Sequence, residues 1–381
     1  MKKVAVLGVT GSIGRQAVDV ISKLSNEFEI SLISAHSDKK GLIEVARLYR
    51  VPFVCLSDGT QLSPDELGYP CQVFCGKDAL VRASSEADYD VFLNAVVGLD
   101  ALEPTLIAME KGARIALSNK EMLVSAGELV MARAKKLKRE IIPVDSEHSA
   151  IFQCLGAGRA EDVDKLILTS SGGAFRDVPL AELNALSPDR ALAHPNWRMG
   201  KKITMDCATM VNKGFEVVEA MHLFDMPFDK IQTLIHRESV VHSMVRFRDG
   251  STIAQLSDPD MRLPIQYALT YPKRVPSPVS SPEPPYTLTF LPVDLERYPC
   301  FGVMLEAARR GGLYPAIMLA ADEVLVRAYL RGSIVYTDLA PIMLRVMEHF
   351  DLSGSYTIPD VLNINAEAEK YTQSVVETWR I

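Results

Sequence analysis

Residues Met1–Gly14 read MKKVAVLGVTGSIG, an apolar run followed at once by three glycines at regular spacing. The run Lys3–Leu7 predicts a buried strand, and the amphipathic stretch Ser12–Leu24 predicts a helix. Glycines in such a turn let a pyrophosphate approach the backbone N–H groups at the positive end of the helix. The spacing is GxxGxxG rather than GxGxxG, so a turn that needs glycine only for packing is the alternative.

The same alternation continues to about residue 145. Further strands are predicted at Glu29–Ser34, Pro52–Leu56, Asp90–Ala95, Arg114–Ser118 and Glu140–Val144. Amphipathic stretches predict helices at Lys39–Tyr49, Leu102–Lys111 and Lys120–Lys138. Strands and helices in alternation predict a Rossmann-like parallel sheet covered on both faces, so we expect a dinucleotide-binding domain over residues 1–145 with the glycine turn as its binding site.

The pattern changes over residues 146–271, where we expect an α+β domain. The predicted elements are the strand Lys165–Ser170, the helix Ala208–Leu223 with Asp206 as its cap, and the strands Val240–Phe247 and Ser251–Leu256 of an Asp-Gly hairpin. Seven prolines between Pro272 and Pro292 predict an extended linker over residues 272–297. Helical periodicity then predicts a C-terminal helical domain over residues 298–381, at Phe301–Arg310, Pro315–Arg331, Leu339–Phe350 and Ala366–Trp379.

Composition limits the classes of function. The chain has 381 residues, 48% hydrophobic and 23% charged, and a net charge of −7. This balance argues against disorder and against a general nucleic-acid binder. The six cysteines are scattered and form no CxxC pair, which favours a reducing compartment. No apolar run reaches 18 residues, so we expect a cytoplasmic protein without a membrane segment.

The residues that follow the second predicted strand bear on the choice of cofactor. An NAD site usually places an acidic residue there to bind the ribose hydroxyls. This chain has Ala35, His36 and Ser37, with Lys39 and Lys40 close behind. Hydroxyls, a histidine and lysines suit a 2′-phosphate, so the sequence predicts NADP.

Two acidic clusters are candidates for a divalent cation. Asp145 and Glu147 come directly after the last strand of the N-terminal domain and would point the same way in an extended chain. A pair that only caps a loop is an equally good explanation of this cluster taken alone. Helical spacing places Asn212, Lys213 and Glu216 on one face. Hard oxygen ligands of this kind favour magnesium or manganese over zinc.

Two loops suggest a separate anion site. The Ser170–Gly173 segment follows a strand and resembles a nest of hydroxyls and free N–H groups. The segment His194–Gly200 is bounded by bends and contains Trp197, which we expect to lie in a lid over the ligand. A tryptophan buried under the loop is the alternative.

These motifs occur in one order along nearly the whole chain: GVTGSIG at Gly8–Gly14, SNKE at Ser118–Glu121, DSEH at Asp145–His148, SGG at Ser171–Gly173, HPNW at His194–Trp197, NKGFE at Asn212–Glu216, SVVHSMV at Ser239–Val245 and DPDMR at Asp258–Arg262. The ordered set closely resembles the 1-deoxy-D-xylulose 5-phosphate reductoisomerase family. The resemblance implies an NADP-dependent reductoisomerase that rearranges this phosphosugar and reduces the product to 2-C-methyl-D-erythritol 4-phosphate, in the non-mevalonate isoprenoid pathway. It also implies NADPH, a divalent metal (Mg²⁺, Mn²⁺ or Co²⁺), a homodimer and inhibition by fosmidomycin. Residues 146–271 would then be the catalytic and dimerisation domain.

The resemblance assigns roles to residues as well. It implies Lys120 and Glu147 as catalytic residues, and Asp145, Glu147 and Glu216 as metal ligands. The cofactor contacts that it implies are Thr10, Gly11, Ser12, Ile13, Ala35, His36, Ser37, Asn119, Glu121 and Met199. The substrate contacts are Ser146, Ser171, His194, Trp197, Cys207, Asn212, Lys213 and Glu216.

The chain departs from the family pattern at four places. Cys207 replaces a phosphate-binding serine, His36-Ser37 a Lys-Asn pair, Arg237-Glu238 a Pro-Gln pair, and Asp322 an asparagine. A semialdehyde or homoserine dehydrogenase is the rival enzyme, and it would use a cysteine nucleophile or no metal. Cys154, the nearest candidate nucleophile, lies in an amphipathic run and is expected in the core. A regulatory NADP-binding protein without catalysis is the rival from another class.

Overall fold

The computed structural model describes residues 1–193, 200–281, 283–352 and 354–379. The strands are β1 (Lys2–Leu7), β2 (Phe28–Ala35), β3 (Phe53–Leu56), β4 (Gln72–Cys75), β5 (Val91–Asn94), β6 (Arg114–Leu117), β7 (Ile141–Pro143), β8 (Val163–Ser170), β9 (Ile231–Ile235), β10 (Val241–Phe247), β11 (Thr252–Leu256) and β12 (Leu291–Pro292). The helices are α1 (Ser12–Lys23), α2 (Lys39–Tyr49), α3 (Pro64–Leu67), α4 (Ala79–Glu86), α5 (Leu102–Glu110), α6 (Lys120–Leu137), α7 (Ser146–Leu155), α8 (Pro188–Ala191), α9 (Lys201–Thr209), α10 (Val211–Leu223), α11 (Arg262–Thr270), α12 (Pro299–Arg310), α13 (Tyr314–Leu330), α14 (Tyr336–His349) and α15 (Ile358–Thr378).

These elements form two compact units. Unit 1 consists of Met1–Met122, Val130–Phe152 and Asp260–Ser281. Unit 2 consists of Leu123–Leu129, Gln153–Pro259 and Pro282–Ile381. The division at residues 145, 271 and 297 stays a prediction about domains, and the two compact units have other bounds.

Unit 1 contains the parallel sheet that the sequence predicts. Its strand order is β4-β3-β2-β1-β5-β6-β7, and every neighbouring pair that the structure describes is parallel. Val4, Val6 and Ile33 are completely buried, as expected for strands that helices cover on both faces. The sequence analysis missed β4, whose four residues are too few to show a periodicity.

Helix α11 explains why unit 1 contains a late segment of the chain. Its residues Ile265, Ala268 and Leu269 belong to the same apolar core as Val4 and Val6. The segment predicted to end the central domain therefore packs against the N-terminal sheet, because three apolar side chains at helical spacing are buried there.

Unit 2 contains a mixed sheet and helices. The sheet has the order β11-β10-β8-β9-β12, with β8 parallel to β9 and antiparallel to β10. The antiparallel pair β10–β11 confirms the predicted hairpin. The four C-terminal helices α12–α15 confirm the predicted helical end, and together with unit 1 they confirm the α/β fold.

Two elements of unit 2 differ from the prediction. The expected single helix over 208–223 is two helices, α9 and α10, because Met210 adopts a left-handed φ of 59° between them. Asp206 therefore lies inside α9 and does not cap a helix. The proline-rich stretch also contributes the edge strand β12, in which Pro292 needs no N–H partner on its open side.

Candidate active site

Close packing requires glycine at two positions, Gly8 in the turn after β1 and Gly14 in the first turn of α1. A Cβ atom on Gly8, where φ is +78°, would lie 2.5 Å from Ala95 O, and one on Gly14 would lie 2.2 Å from Gly8 O. Among the described residues, no side chain caps α1 at Gly11. The loop therefore presents the backbone start of a helix, with no Cβ in the way, to a ligand such as a pyrophosphate.

The residues after β2 divide between structure and candidate binding. His36 Nδ1 lies 3.1 Å from Ser57 Oγ, and both side chains are on the surface side of the turn. Lys39 Nζ lies 2.7 Å from Glu66 Oε2. Lys39 therefore already has a carboxylate partner, which makes it a weaker candidate for binding a 2′-phosphate. His36 and Ser37 stay predictions.

Asp38, the first acidic residue after β2, has a structural task. Its Oδ1 accepts a hydrogen bond from Gly41 N at 2.9 Å and so caps α2. A carboxylate that caps a helix is held away from the role that an acidic residue has in NAD sites. This observation supports NADP over NAD.

Asn119 fixes the start of α6. Its Oδ1 accepts a hydrogen bond from Met122 N at 2.7 Å. Its Nδ2 donates to Val96 O at 2.5 Å and to Gly98 O at 2.7 Å. The amide side chain thereby connects the turn after β5 to the start of α6. Because Lys120 is the first residue of α6, these bonds fix the position of its backbone.

Lys120 and Asp145 form a buried ion pair in unit 1. Lys120 Nζ lies 2.7 Å from Asp145 Oδ2, and His148 Nδ1 lies 3.0 Å from Asp145 Oδ1. Burial favours the neutral acid, but the Lys120 ammonium and the His148 ring outweigh it and hold the pKa of Asp145 well below its usual range. Asp145 is therefore an anion in the folded protein.

The segment after β7 is helical, so the expectation of an extended Asp145–Glu147 pair was wrong. Helix α7 begins at Ser146, and Asp145 Oδ1 accepts a hydrogen bond from Glu147 N at 3.2 Å. Ser146 Oγ donates to Glu147 Oε2 at 2.5 Å. The N–H groups at a helix start attract carboxylates, which accounts for the local geometry.

The Glu216 cluster in unit 2 has the geometry that its spacing predicts. Asn212 Nδ2 donates to Glu216 Oε1 at 2.5 Å, and Lys213 Nζ pairs with Glu216 Oε2. All three side chains are buried on one face of α10. A Cβ atom on Gly214 would lie 2.4 Å from Met304 Cβ, so glycine allows α10 to pack closely on α12.

The glycine loop after β8 differs from the predicted nest. Gly172 N donates to Ser170 Oγ at 3.3 Å, and Gly173 N donates to Ser171 Oγ at 3.2 Å. These N–H groups are therefore already bound, and the expectation that they are free was wrong. Ser171 stays a predicted anion contact through its hydroxyl, and not through the glycine amides.

Cys207 lies beside this loop. It is partly buried in the second half of α9, and a Cβ atom on Gly173 would lie 2.3 Å from its carbonyl oxygen. The predicted helix start at Ala208 would have put Cys207 beside the first turn of a helix, but Cys207 lies near the end of α9 instead. Cys154, in contrast, is buried in α7, which confirms the expectation of a core residue.

Two groups in unit 2 escaped the sequence analysis. Lys202 Nζ lies 2.6 Å from Asp206 Oδ2 and also pairs with Asp322. Tyr298 and Arg176 bind the backbone of the glycine loop. The i,i+4 spacing of Lys202 and Asp206 could have predicted their ion pair. Nothing in the local sequence predicts that Asp322 joins this pair or that Tyr298 binds the glycine loop.

Three residues of the predicted site lie outside the described residues: His194, Trp197 and Met199.

Over the parts of the chain that the structure describes, no helix has the length and apolar character needed to cross a membrane.

Comparison with known proteins identifies the family. Residues 4–127 match a family model described as 1-deoxy-D-xylulose 5-phosphate reductoisomerase. Residues 141–224 match the model of that enzyme's C-terminal domain, and residues 256–371 match a model described as DXP reductoisomerase C-terminal domain. Relatives of that name from Geobacillus kaustophilus and Heliobacterium modesticaldum are 45% and 44% identical, over 99% and 100% of this chain and 100% and 99% of theirs.

Solved structures agree with the sequence matches. The 1-deoxy-D-xylulose 5-phosphate reductoisomerase from Zymomonas mobilis in complex with NADPH has a TM-score of 0.91 at 36% identity, over 99% of each chain. A DOX-P reductoisomerase in complex with NADPH, fosmidomycin and magnesium has a TM-score of 0.90 at 34% identity, over 100% of this chain and 99% of that one. The chain therefore belongs to the 1-deoxy-D-xylulose 5-phosphate reductoisomerase family.

Proposed function

We propose that this chain converts 1-deoxy-D-xylulose 5-phosphate to 2-C-methyl-D-erythritol 4-phosphate with NADPH and a divalent cation. The observation that carries the proposal is the match to family members along essentially the full length of both chains. The anionic Asp145, paired with the buried Lys120, supplies a charged centre suited to such chemistry.

The residues present fit NADPH. Gly11 begins α1 without a side chain, so the helix start can accept a pyrophosphate, and Asp38 is occupied as a helix cap. The residues that would hold the cofactor are Thr10, Gly11, Ser12, Ile13, Ala35, His36, Ser37, Asn119, Glu121 and Met199. The amide of Asn119 is engaged within the protein, so any contact from this residue would come from its backbone.

The residues present also fit a divalent metal. Asp145, Glu147 and Glu216 would hold it, since they are hard carboxylate donors and Asp145 is ionised. When bound, a magnesium or manganese ion would polarise the carbonyl and hydroxyl oxygens of the substrate as a Lewis acid.

The protein's own side chains would orient and close off the substrate. Lys120 would bind a substrate hydroxyl and stabilise developing negative charge, and the bond of its ammonium to Asp145 Oδ2 fixes its direction. Glu147 would assist proton transfer, and Ser146, which is bonded to it, would bind the substrate. His194 and Trp197 would exclude water.

The phosphate of the substrate would bind to residues of unit 2. Ser171, Cys207, Asn212 and Lys213 are the proposed contacts. Ser171 suits this role because a hydroxyl can donate to a phosphate oxygen, and the hydrogen bond from Gly173 N holds its oxygen in place. Lys213 brings the positive charge, and Glu216 keeps that ammonium in place.

We also propose that the chain acts as a homodimer, as the family resemblance implies. Strand β11 lies at the edge of its sheet, and its side chains Ile253 and Leu256 are 38% and 36% exposed. An apolar, unpaired edge favours pairing with another strand. Ile253→Lys should shift sedimentation from the dimer to the monomer, and an unchanged mass would contradict this surface.

One experiment tests the activity. The oxidation of NADPH is followed by absorbance with 1-deoxy-D-xylulose 5-phosphate as the substrate, before and after thorough chelation and with magnesium restored. We expect turnover that chelation abolishes and magnesium restores. Turnover that survives chelation would contradict the metal sites. Binding of NADPH without turnover would favour the regulatory protein, and turnover of homoserine or a semialdehyde alone would favour the rival dehydrogenase.

A further inference from the structure

The Ser171-Gly172-Gly173 loop of unit 2 has an unusual backbone. Gly172 and Gly173 both have positive φ, at 80° and 63°. Two consecutive glycines have many accessible conformations, so the loop loses much backbone entropy when it is fixed in one of them. Bonds from elsewhere in unit 2 must therefore hold the loop if Ser171 is to meet a ligand at a defined position.

Tyr298 holds the middle of the loop. Its hydroxyl donates to Gly172 O at 2.7 Å, and the side chain is almost fully buried. The tyrosine is itself fixed at the start of α12, where its N–H donates to Asp294 O at 3.0 Å. Burial raises the pKa of Tyr298 to about 12, so the phenol keeps its proton and remains a donor.

Arg176 holds the start of the loop. Its Nη1 donates to Ser171 O at 3.0 Å and to Arg237 O at 3.2 Å, so one guanidinium joins two segments. Further along, Arg297 Nη1 donates to Phe175 O at 3.0 Å and to the carbonyl oxygen of Val178. Four carbonyl groups between Ser171 and Val178 are thus bound by the side chains of Arg176, Tyr298 and Arg297.

These bonds have a consequence for Ser171. With its own carbonyl and that of Gly172 fixed, Gly173 N is directed at Ser171 Oγ, 3.2 Å away. The hydroxyl oxygen accepts this bond, which holds it against the loop backbone. The conformation of the loop therefore decides where the hydroxyl group of Ser171 lies.

From this geometry we infer that Tyr298 and Arg176 are positioning residues for the phosphate group of the substrate, acting through Ser171. The inference rests on the proposed function, in which Ser171 binds that phosphate. Neither residue needs to contact the substrate, since each binds only the backbone that carries the serine.

The test compares two buried tyrosines of unit 2. Tyr329 is a matched control, because its hydroxyl also donates to a backbone carbonyl, Leu186 O at 3.1 Å, and burial raises its pKa likewise to about 12. We expect Tyr298→Phe to raise the KM for 1-deoxy-D-xylulose 5-phosphate by about three- to tenfold, with a smaller change in kcat. Tyr329→Phe should leave KM within about twofold of the wild type. Equal KM values for the two variants would overturn the inference.

A second readout does not depend on turnover. The thermal midpoint of the wild type, Tyr298→Phe and Tyr329→Phe is measured against the concentration of inorganic phosphate. We expect the Tyr298→Phe midpoint to need about three- to tenfold more phosphate for the same upward shift. Equal phosphate dependence in all three proteins overturns the inference. Because this test needs no turnover, its result is separate from whether the wild type converts the sugar phosphate, which tests the proposed function.

Arg176 separates positioning from simple charge attraction. Arg176→Lys keeps the positive charge, but an ammonium on a shorter reach cannot replace the donors of the guanidinium fork. If Arg176 positions the loop, Arg176→Lys and Arg176→Met should raise KM to a similar extent. If the charge alone matters, Arg176→Lys will retain the wild-type KM, and that result would overturn the role of Arg176.

Discussion

At the scale of single residues, the buried charged side chains of the candidate site residues form ion pairs. Lys120 pairs with Asp145 in unit 1, and Lys213 pairs with Glu216 in unit 2. Ions removed from water need such partners, because an unpaired buried charge costs several kcal/mol. Each pair therefore has its charges oriented within its own unit before any ligand binds, which is the kind of preorganisation that favours catalysis.

Glu216→Gln tests the metal-ligand role. The amide keeps the size of the side chain and its bond to Asn212, but removes the charge that a bound cation needs and that the Lys213 ammonium pairs with. We expect turnover to fall on the order of a hundredfold or more, while NADPH binding, followed by fluorescence, stays at the wild-type value. Wild-type turnover in the variant would contradict the assignment.

Cys207→Ser tests the departure from the family pattern. A thiol is a weaker donor than a hydroxyl, so serine should bind a phosphate oxygen better or equally well. We expect KM for the substrate to fall or stay equal, with the free energy of unfolding unchanged within about 0.5 kcal/mol. A loss of stability above about 1 kcal/mol without tighter binding would mean that Cys207 only packs in the core.

At the scale of elements, one ammonium joins two helices. Lys202 on α9 pairs with Asp206 on the same helix and with Asp322 on α13. Both carboxyl groups are buried, whereas the lysine side chain is 31% exposed. Burial and the neighbouring Asp322 raise the pKa of Asp206 well above its usual range, although Lys202 opposes them.

Lys202→Met should destabilise the fold by about 2–3 kcal/mol at neutral pH, because two buried carboxyl groups lose their cation. The value is below that of a fully buried pair, since solvent screens the exposed part of the lysine. Lys201→Met is the matched control, as Lys201 is exposed and adjacent. Urea unfolding measures both variants, and the loss should shrink in acid, where Asp206 takes up a proton. Equal stabilities for the two variants would contradict the role of the cluster.

At the scale of the whole molecule, a buried histidine links folding to pH. His242 on β10 donates from Nε2 to Ser257 O at 3.1 Å, and burial lowers its pKa from 6.5 to about 4. Between these two values the unfolded chain binds a proton that the folded chain does not. Stability is therefore complete above pH 6.5 and is lost as the pH falls toward 4.

His242→Gln should remove this pH dependence. The wild type should lose about 2 kcal/mol from this group between neutral pH and about pH 5. Urea unfolding at the two pH values gives the loss, and the variant should show a smaller one. His36→Gln, at an exposed histidine, should match the wild type. The same loss in all three proteins would show that His242 does not control it.

The sequence predicted most of what is local in this fold. Alternation of apolar runs and amphipathic stretches predicted six of the strands in the parallel sheet and the hairpin β10–β11, each within a residue or two of the observed bounds. The glycines of the first turn and the helical face of Asn212, Lys213 and Glu216 were also predictable, because both follow from backbone geometry within a few residues.

Packing determined the rest. Helix α11 lies on the N-terminal sheet, Met210 divides one expected helix into two, and Lys202 finds Asp322 across 120 positions of sequence. The amides of the glycine loop bind serine hydroxyls, and Tyr298, which lies more than a hundred residues later in the chain, binds the backbone of the same loop. Periodicity records which face of an element is buried, whereas the partner of a buried polar group is set by what the folded chain places beside it, and no local pattern contains that information.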